Sequence, residues 1–185
     1  MKYLTTEEIE AGLDYIRQSP KDMGILQLIV RRPQISEREV LEIGELNTEV
    51  GLVGDTWNIR PSSRTSDGTP HPEMQINIIN SRTIDLLAQD ESRWKLAGDQ
   101  LYLDLDLSAE NLPPGTQISI GSAILEVTAQ PHTGCKKFIE RFGLEAMKFV
   151  NSAVGRELNM RGINAKVVLS GTIKKGDLVR KFLLD

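Results

Sequence analysis

The sequence predicts a mainly β protein with some helix: a β-barrel carrying short peripheral helices. Three observations lead there. Short apolar, β-prone runs recur along the chain, while helix-like runs are few. Gly54-Asp55, Gly98-Asp99 and Gly176-Asp177 punctuate them; glycine supplies positive φ and aspartate bonds nearby backbone, so each dipeptide reads as a turn. Strands do not alternate with long helices, which argues against a doubly wound parallel sheet.

The elements follow in order. Thr5 and Glu8 form a capping-box pair, and Ile9, Leu13 and Ile16 recur at helical spacing, so a short helix runs to about Gln18. Ser19-Pro20 breaks it. Residues 24–32 read as a strand ended by Pro33, and residues 38–46 as a second. Residues 51–57 are a glycine-punctuated turn. Residues 60–72 hold three prolines and three serines, the composition of a long loop; such loops often cover or bind something. Residues 75–79 form a strand, after which Ser81 caps a helix over 82–89. In residues 100–106 Leu101, Leu103 and Leu105 alternate with polar side chains, a strand with one buried face. Strands at 117–120 and 123–129 meet at Gly121. Helices at 136–142 and 144–150 are separated by Gly143, and strands at 162–169, 171–173 and 178–183 close the chain.

Composition narrows the class. The 185 residues carry a net charge of −4, which gives no global basic field for nucleic acid. A length of this order fits one domain over 1–185, with a core over about 25–183 and the helix within 1–18 preceding it. No apolar run approaches a membrane span, and residues 1–17 do not resemble a signal peptide. A single cysteine excludes an internal disulfide framework and suits a reducing cytoplasm.

That cysteine is the most informative residue. Cys135 lies in Pro131-His132-Thr133-Gly134-Cys135-Lys136-Lys137-Phe138, between a strand-like and a helix-like run. A helix start and two adjacent lysines favour the thiolate, the form that attacks electrophiles and binds metals. The plainer alternative is a small buried apolar side chain. His132 three residues earlier suits half a metal site or a base beside a nucleophile, or neither. Two histidines and one cysteine are too few for structural zinc. Arg161 directly precedes Gly162, where a guanidinium and a close backbone suit an oxyanion. Lys136, Lys137, Arg141, Arg156 and Lys166 serve equally well as a solvated face. Asp55 stands apart from the other Gly-Asp turns because Trp57 and the long polar loop follow at once. No nucleotide-cradling glycine motif is present.

In order along the chain come Gly51-Leu52-Val53-Gly54-Asp55, Ala97-Gly98-Asp99-Gln100-Leu101, Asn111-Leu112-Pro113-Pro114-Gly115, Ile120-Gly121-Ser122-Ala123, Leu125-Glu126-Val127-Thr128, the cysteine loop, and Arg161-Gly162-Ile163-Asn164-Ala165-Lys166-Val167. This ordered set resembles the MOSC domain, the family named after the C-terminal domain of molybdenum cofactor sulfurase. The resemblance implies a barrel of the pyruvate-kinase barrel-domain type. It implies a cysteine, here Cys135, that handles sulfur or meets the molybdenum of a molybdopterin-type cofactor, with Asp55 and Arg161 in the same pocket. His132 and Lys136 complete the implied cofactor-binding set. Two departures stand out: many relatives read Gly-Asp-Arg-His where this chain has Gly54-Asp55-Thr56-Trp57, and many carry proline where it has Gly134.

The resemblance thus implies a stand-alone protein that binds a molybdenum–pterin cofactor, carries sulfane sulfur on Cys135, or both. It would act as an oxidoreductase or sulfurtransferase, with a sulfur donor or electron-transfer protein as partner. Two alternatives stay open: a cofactor-independent cysteine enzyme acting on a small electrophile, and a non-catalytic protein-binding module.

Overall fold

A computed structural model describes residues 2–182. Its strands are β1 (Gly24–Arg31), β2 (Glu39–Leu41), β3 (Ile43–Asn47), β4 (Gly51–Leu52), β5 (Ile76–Asn80), β6 (Leu101–Asp104), β7 (Gln117–Ile120), β8 (Ala123–Val127), β9 (Ile163–Leu169), β10 (Gly171–Lys174) and β11 (Leu178–Phe182). The order β11-β7-β8-β9-β5-β6-β1, with β1 pairing back onto β11, closes a seven-stranded barrel. β2 extends the sheet beyond β1, and β10, β3 and β4 form a small second sheet. Neighbours in the barrel are antiparallel except β5 and β6, whose register pairs Ile78 with Leu101 and Asn80 with Leu103 in parallel. Parallel neighbours need a long crossover. Helix α3 (Ser81–Ala88) and a 3-10 segment at Glu91–Ala97 provide it.

The period of two along each strand splits the core in two. Ile29, Ile78, Leu101 and Leu103 point into the barrel, with Leu26, Ile118, Leu125 and Val179 among their neighbours. Val30, Ile79 and Tyr102 point outward and are buried just as fully, under the helices. Burying each such side chain stabilises the fold by about 1.5–3 kcal/mol. A one-residue slip would exchange the two sets, so the register is strongly fixed. This corrects the reading of residues 100–106: β6 is covered on both faces, because α3 and the 3-10 segment at Glu91–Ala97 lie over the side expected to face solvent, with Trp94 stacked on Tyr102. The helices expected after the cysteine are α4 (Lys136–Phe142) and α5 (Leu144–Val150).

Several boundaries differ from the sequence reading for local reasons. The N-terminal helix is two, α1 (Thr6–Ala11) and α2 (Leu13–Arg17), broken at Gly12, a poor helix former. The Thr5–Glu8 capping box is present as expected. The cap of α3 is Asn80 and not Ser81; its side-chain oxygen accepts from the N–H groups of Arg82 and Thr83. Residues 38–46 form two strands rather than one. The 3-10 segment at Glu91–Ala97 and the short helix α6 (Ala153–Glu157) were not anticipated. The last predicted strand is β11 as far as Phe182; its final residue, 183, lies outside the described residues.

Candidate functional site

The cysteine loop leaves β8 and ends where Cys135 caps α4. Phe138 and Phe142, one turn apart, anchor that helix in the outer core with ring centroids 4.8 Å from each other. Cys135 is a free thiol, exposed, and its side chain makes no capping hydrogen bond. Lys136 and Lys137 beside it are exposed too. Behind the loop, Asn151 at the end of α5 holds Gly134 by both backbone groups. The Gly134 N–H donates to Asn151 Oδ1 (3.0 Å), and Asn151 Nδ2 donates to the Gly134 carbonyl (3.4 Å).

Beneath the loop, His132, Asp99 and Arg161 come together. Arg161 Nη1 donates to both Asp99 oxygens (3.1 and 2.8 Å), and Nη2 to the Ala97 carbonyl (3.3 Å). The guanidinium lies over the Phe138 ring at 5.0 Å, which joins this ion pair to the helix that Cys135 starts. His132 Nδ1 sits 3.4 Å from Asp99 Oδ1. Burial, reinforced by the positive charges of Arg161, Arg32 and Arg64, holds His132 well below the ordinary histidine range, so the ring is neutral near pH 7. Burial also raises Asp99, against the downward pull of Arg161. His132 Nδ1 and Arg161 Nε are both buried without a hydrogen-bond partner. Gly162 makes the approach feasible: its φ is +106°, and a Cβ there would meet the Ile78 carbonyl oxygen at 2.2 Å and His132 Nδ1 at 3.2 Å.

Asp55 belongs to a second buried ion pair. One of its oxygens accepts from the backbone N–H and Nε of Arg32 (2.9 and 2.8 Å). The other accepts from Arg32 Nη2 (2.8 Å) and the Trp57 N–H (2.9 Å). Arg32 Nη1 donates onward to Asn77 Oδ1 and the Gly98 carbonyl, both at 3.1 Å. The two pairs therefore meet at Gly98-Asp99, one on each residue of that dipeptide.

The two larger cavities on this network differ in their lining. His132, Asn151, Arg156, Asn159 and Arg161 line one of about 410 Å³ beside the cysteine loop. Arg32, Trp57, Arg60, Arg64, His71 and Asn77 line the other, about 280 Å³, under the loop at residues 60–72. Of the side chains expected at the site, His132 and Arg161 share a cavity wall. Asp55 reaches the second cavity only through Arg32, Cys135 stands exposed three residues from His132, and Lys136 projects into solvent.

Sequence reasoning missed Arg32, Asp99, Arg60 and Asn151. From its sequence Asp99 reads as turn chemistry, and Gly98 does turn the chain with φ +87°, but the carboxylate itself is fully buried against Arg161. An arginine closing the apolar run 24–31 was the one available sign of Arg32. Among the described residues, no group of three or more His, Cys, Asp and Glu is placed to hold a metal ion, and no helix is long and apolar enough to cross a membrane.

The chain is similar in fold to several solved structures. YuaD from Bacillus subtilis superposes with a TM-score of 0.61 and 17% identity, over 86% of this chain and 95% of that one. YiiM from Escherichia coli gives 0.56 and 15%, over 87% and 71%. YiiM from Geobacillus stearothermophilus gives 0.54 and 13%, over 88% and 74%. At these identities the likeness is one of fold. No protein-family model and no curated protein matches the chain.

Proposed function

We propose that this chain is a MOSC-type domain that binds a molybdenum–pterin cofactor beside its cysteine loop and uses Cys135 as the sulfur group of the site. One observation carries the reading. The single cysteine stands exposed on a loop pinned by Asn151, next to a buried His132–Asp99–Arg161 cluster that keeps two polar atoms unpartnered. Such atoms cost about 1–3 kcal/mol each when nothing satisfies them, so a fold that keeps them beside a cavity is suited to a polar ligand.

The residues fit a cofactor of this kind. A metal held mainly by sulfur atoms of a pterin needs one soft protein ligand rather than a cluster, and Cys135 is the one thiolate the chain can offer. Arg161 and His132 would meet the polar edge of the pterin from the 410 Å³ cavity. Asp99 holds Arg161 in place, and Asp55 orients Arg32 on the far side of Gly98. When bound, the cofactor would supply redox chemistry at its metal. The chain's own contribution is the thiolate and a wall in which His132 stays neutral and adds no charge of its own.

The same thiolate can act as a sulfur carrier. It would attack the outer sulfur of a donor persulfide, forming a new S–S bond on Cys135 and releasing the donor as its thiolate. An exposed thiol suits docking of such a donor protein.

Loading tests the proposal. Protein incubated with released molybdenum cofactor and freed of excess should retain metal and pterin together, and Cys135→Ser should lose most of both. Equal retention by the two proteins would remove Cys135 from the site; absence of retention by wild type would reject the cofactor.

A further inference from the structure

A smaller chamber, of about 150 Å³, adjoins the 410 Å³ cavity beside the cysteine loop. Pro131, His132 and Asn159 line both. The rest of its wall is mainly apolar, with Leu112, Pro114, Val127, Ala129 and Ile163. None of the described side chains on that wall is a carboxylate, an ammonium or a guanidinium. A dry apolar cavity of about this volume admits a molecule such as benzene.

The few polar side chains on the wall divide into two kinds. Thr128 Oγ1 donates to the Glu73 carbonyl at 2.7 Å, Gln130 Nε2 to Glu73 Oε2 at 3.1 Å, and Asn159 Nδ2 to the Leu107 carbonyl at 2.8 Å. Those three are held by the protein itself. His132 is not. Its Nδ1 is sealed off beside Asp99 without a hydrogen bond, while 12% of the side chain stays exposed. The ring therefore meets the cavities with its other edge, which carries Nε2. Burial and the nearby arginines keep the ring neutral near pH 7. A nitrogen of neutral imidazole is either a donor or an acceptor, according to tautomer, and a hydroxyl group can partner it in both cases.

We propose that this chamber is a substrate subsite for a small uncharged molecule, about the size of benzene, that presents a hydroxyl group to His132 Nε2. The apolar wall takes the body of the molecule, and the hydroxyl finds the one polar side chain left uncommitted. A charged group would enter against a wall that offers it no opposite charge, which is unfavourable. His132 would then stand between the molecule in the chamber and whatever fills the larger cavity. The role as a substrate subsite rests on the cofactor reading, because the two cavities share a wall; the binding of the small molecule does not.

Titration of the cofactor-free protein with phenol, toluene and benzoate, followed by nuclear magnetic resonance, tests this. Toluene matches phenol in shape and lacks the hydroxyl; benzoate adds a charge. Wild type should bind phenol at least about fivefold more tightly than toluene, the effect of one hydrogen bond. Benzoate should bind more weakly than either. The nitrogen resonance of His132 Nε2 should shift with phenol and stay in place with toluene, a reading that needs no variant. His132→Phe should bring the ratio of phenol to toluene affinity close to one, which a general loosening of the wall would not do. Cys135→Ser should bind phenol as wild type does, so that failure of cofactor loading and failure of the subsite are read separately. Equal affinity of wild type for phenol and toluene, tighter binding of benzoate, a His132 resonance unmoved at saturating phenol, or a wild-type ratio in His132→Phe would overturn the proposal.

Discussion

His132 and Asp99 meet beneath the cysteine loop, Nδ1 to Oδ1 at 3.4 Å, with no hydrogen bond between them. Arg161 takes both oxygens of that carboxylate and leaves the imidazole unpartnered. A neutral, partly buried histidine is thus held beside a buried ion pair.

Its titration follows. The folded-state value lies below the unfolded value near 6.5. The unfolded chain takes up this proton first as pH falls, so the histidine favours the folded state above about pH 6.5 and that contribution is lost below it. Denaturant unfolding from pH 8 to pH 5.5 should show a stability loss with a slope approaching one proton, and His132→Gln should flatten it. An unchanged slope in the variant would place the titration elsewhere.

Asp55 neutralises a buried arginine. Asp55→Ala leaves the Arg32 guanidinium buried and unpaired, which costs about 3–5 kcal/mol. The expected fall in Tm is on the order of 10 °C for a domain of this size. Asp177→Ala, in one of the Gly-Asp pairs that the sequence reads as plain turn chemistry, should cost far less in the same thermal scan.

Asn151 fixes the loop that carries the thiol. Asn151→Ala removes both bonds to Gly134, and the Gly134 amide should exchange with solvent about fivefold faster, as expected for losing roughly 1 kcal/mol locally. Hydrogen exchange read at Gly134 and at a barrel amide such as Leu103 separates this from global destabilisation, because only the first should change strongly.

Gly162 allows β9 to pass close to β5 and His132. Gly162→Ala puts a methyl 2.2 Å from the Ile78 carbonyl at a φ of +106°. The cost should be roughly 3 kcal/mol or more, seen as a lowered denaturation midpoint.

The barrel was legible because its signals are local. Leu101, Leu103 and Leu105 alternate, Thr5 and Glu8 cap, and glycine marks the turns. The 3-10 segment at Glu91–Ala97 was not legible, because it is held by distant partners: the Trp94 carbonyl accepts from Tyr102, and Arg93 donates to the Arg141 carbonyl. The same distinction separates the parts of the candidate site. The position of Cys135 at a helix start follows from adjacent residues. The pairing of Arg32 with Asp55, and of Asp99 with Arg161 across 62 positions, depends on barrel closure that no local period encodes.

The most direct test of the central claim uses the fact that the chain has one thiol. The rate of Cys135 alkylation by iodoacetamide would be measured with and without saturating molybdenum cofactor. If the cofactor sits beside the loop with Cys135 as its sulfur group, alkylation slows by at least about tenfold when it is bound. An unchanged rate with cofactor demonstrably bound would contradict the account.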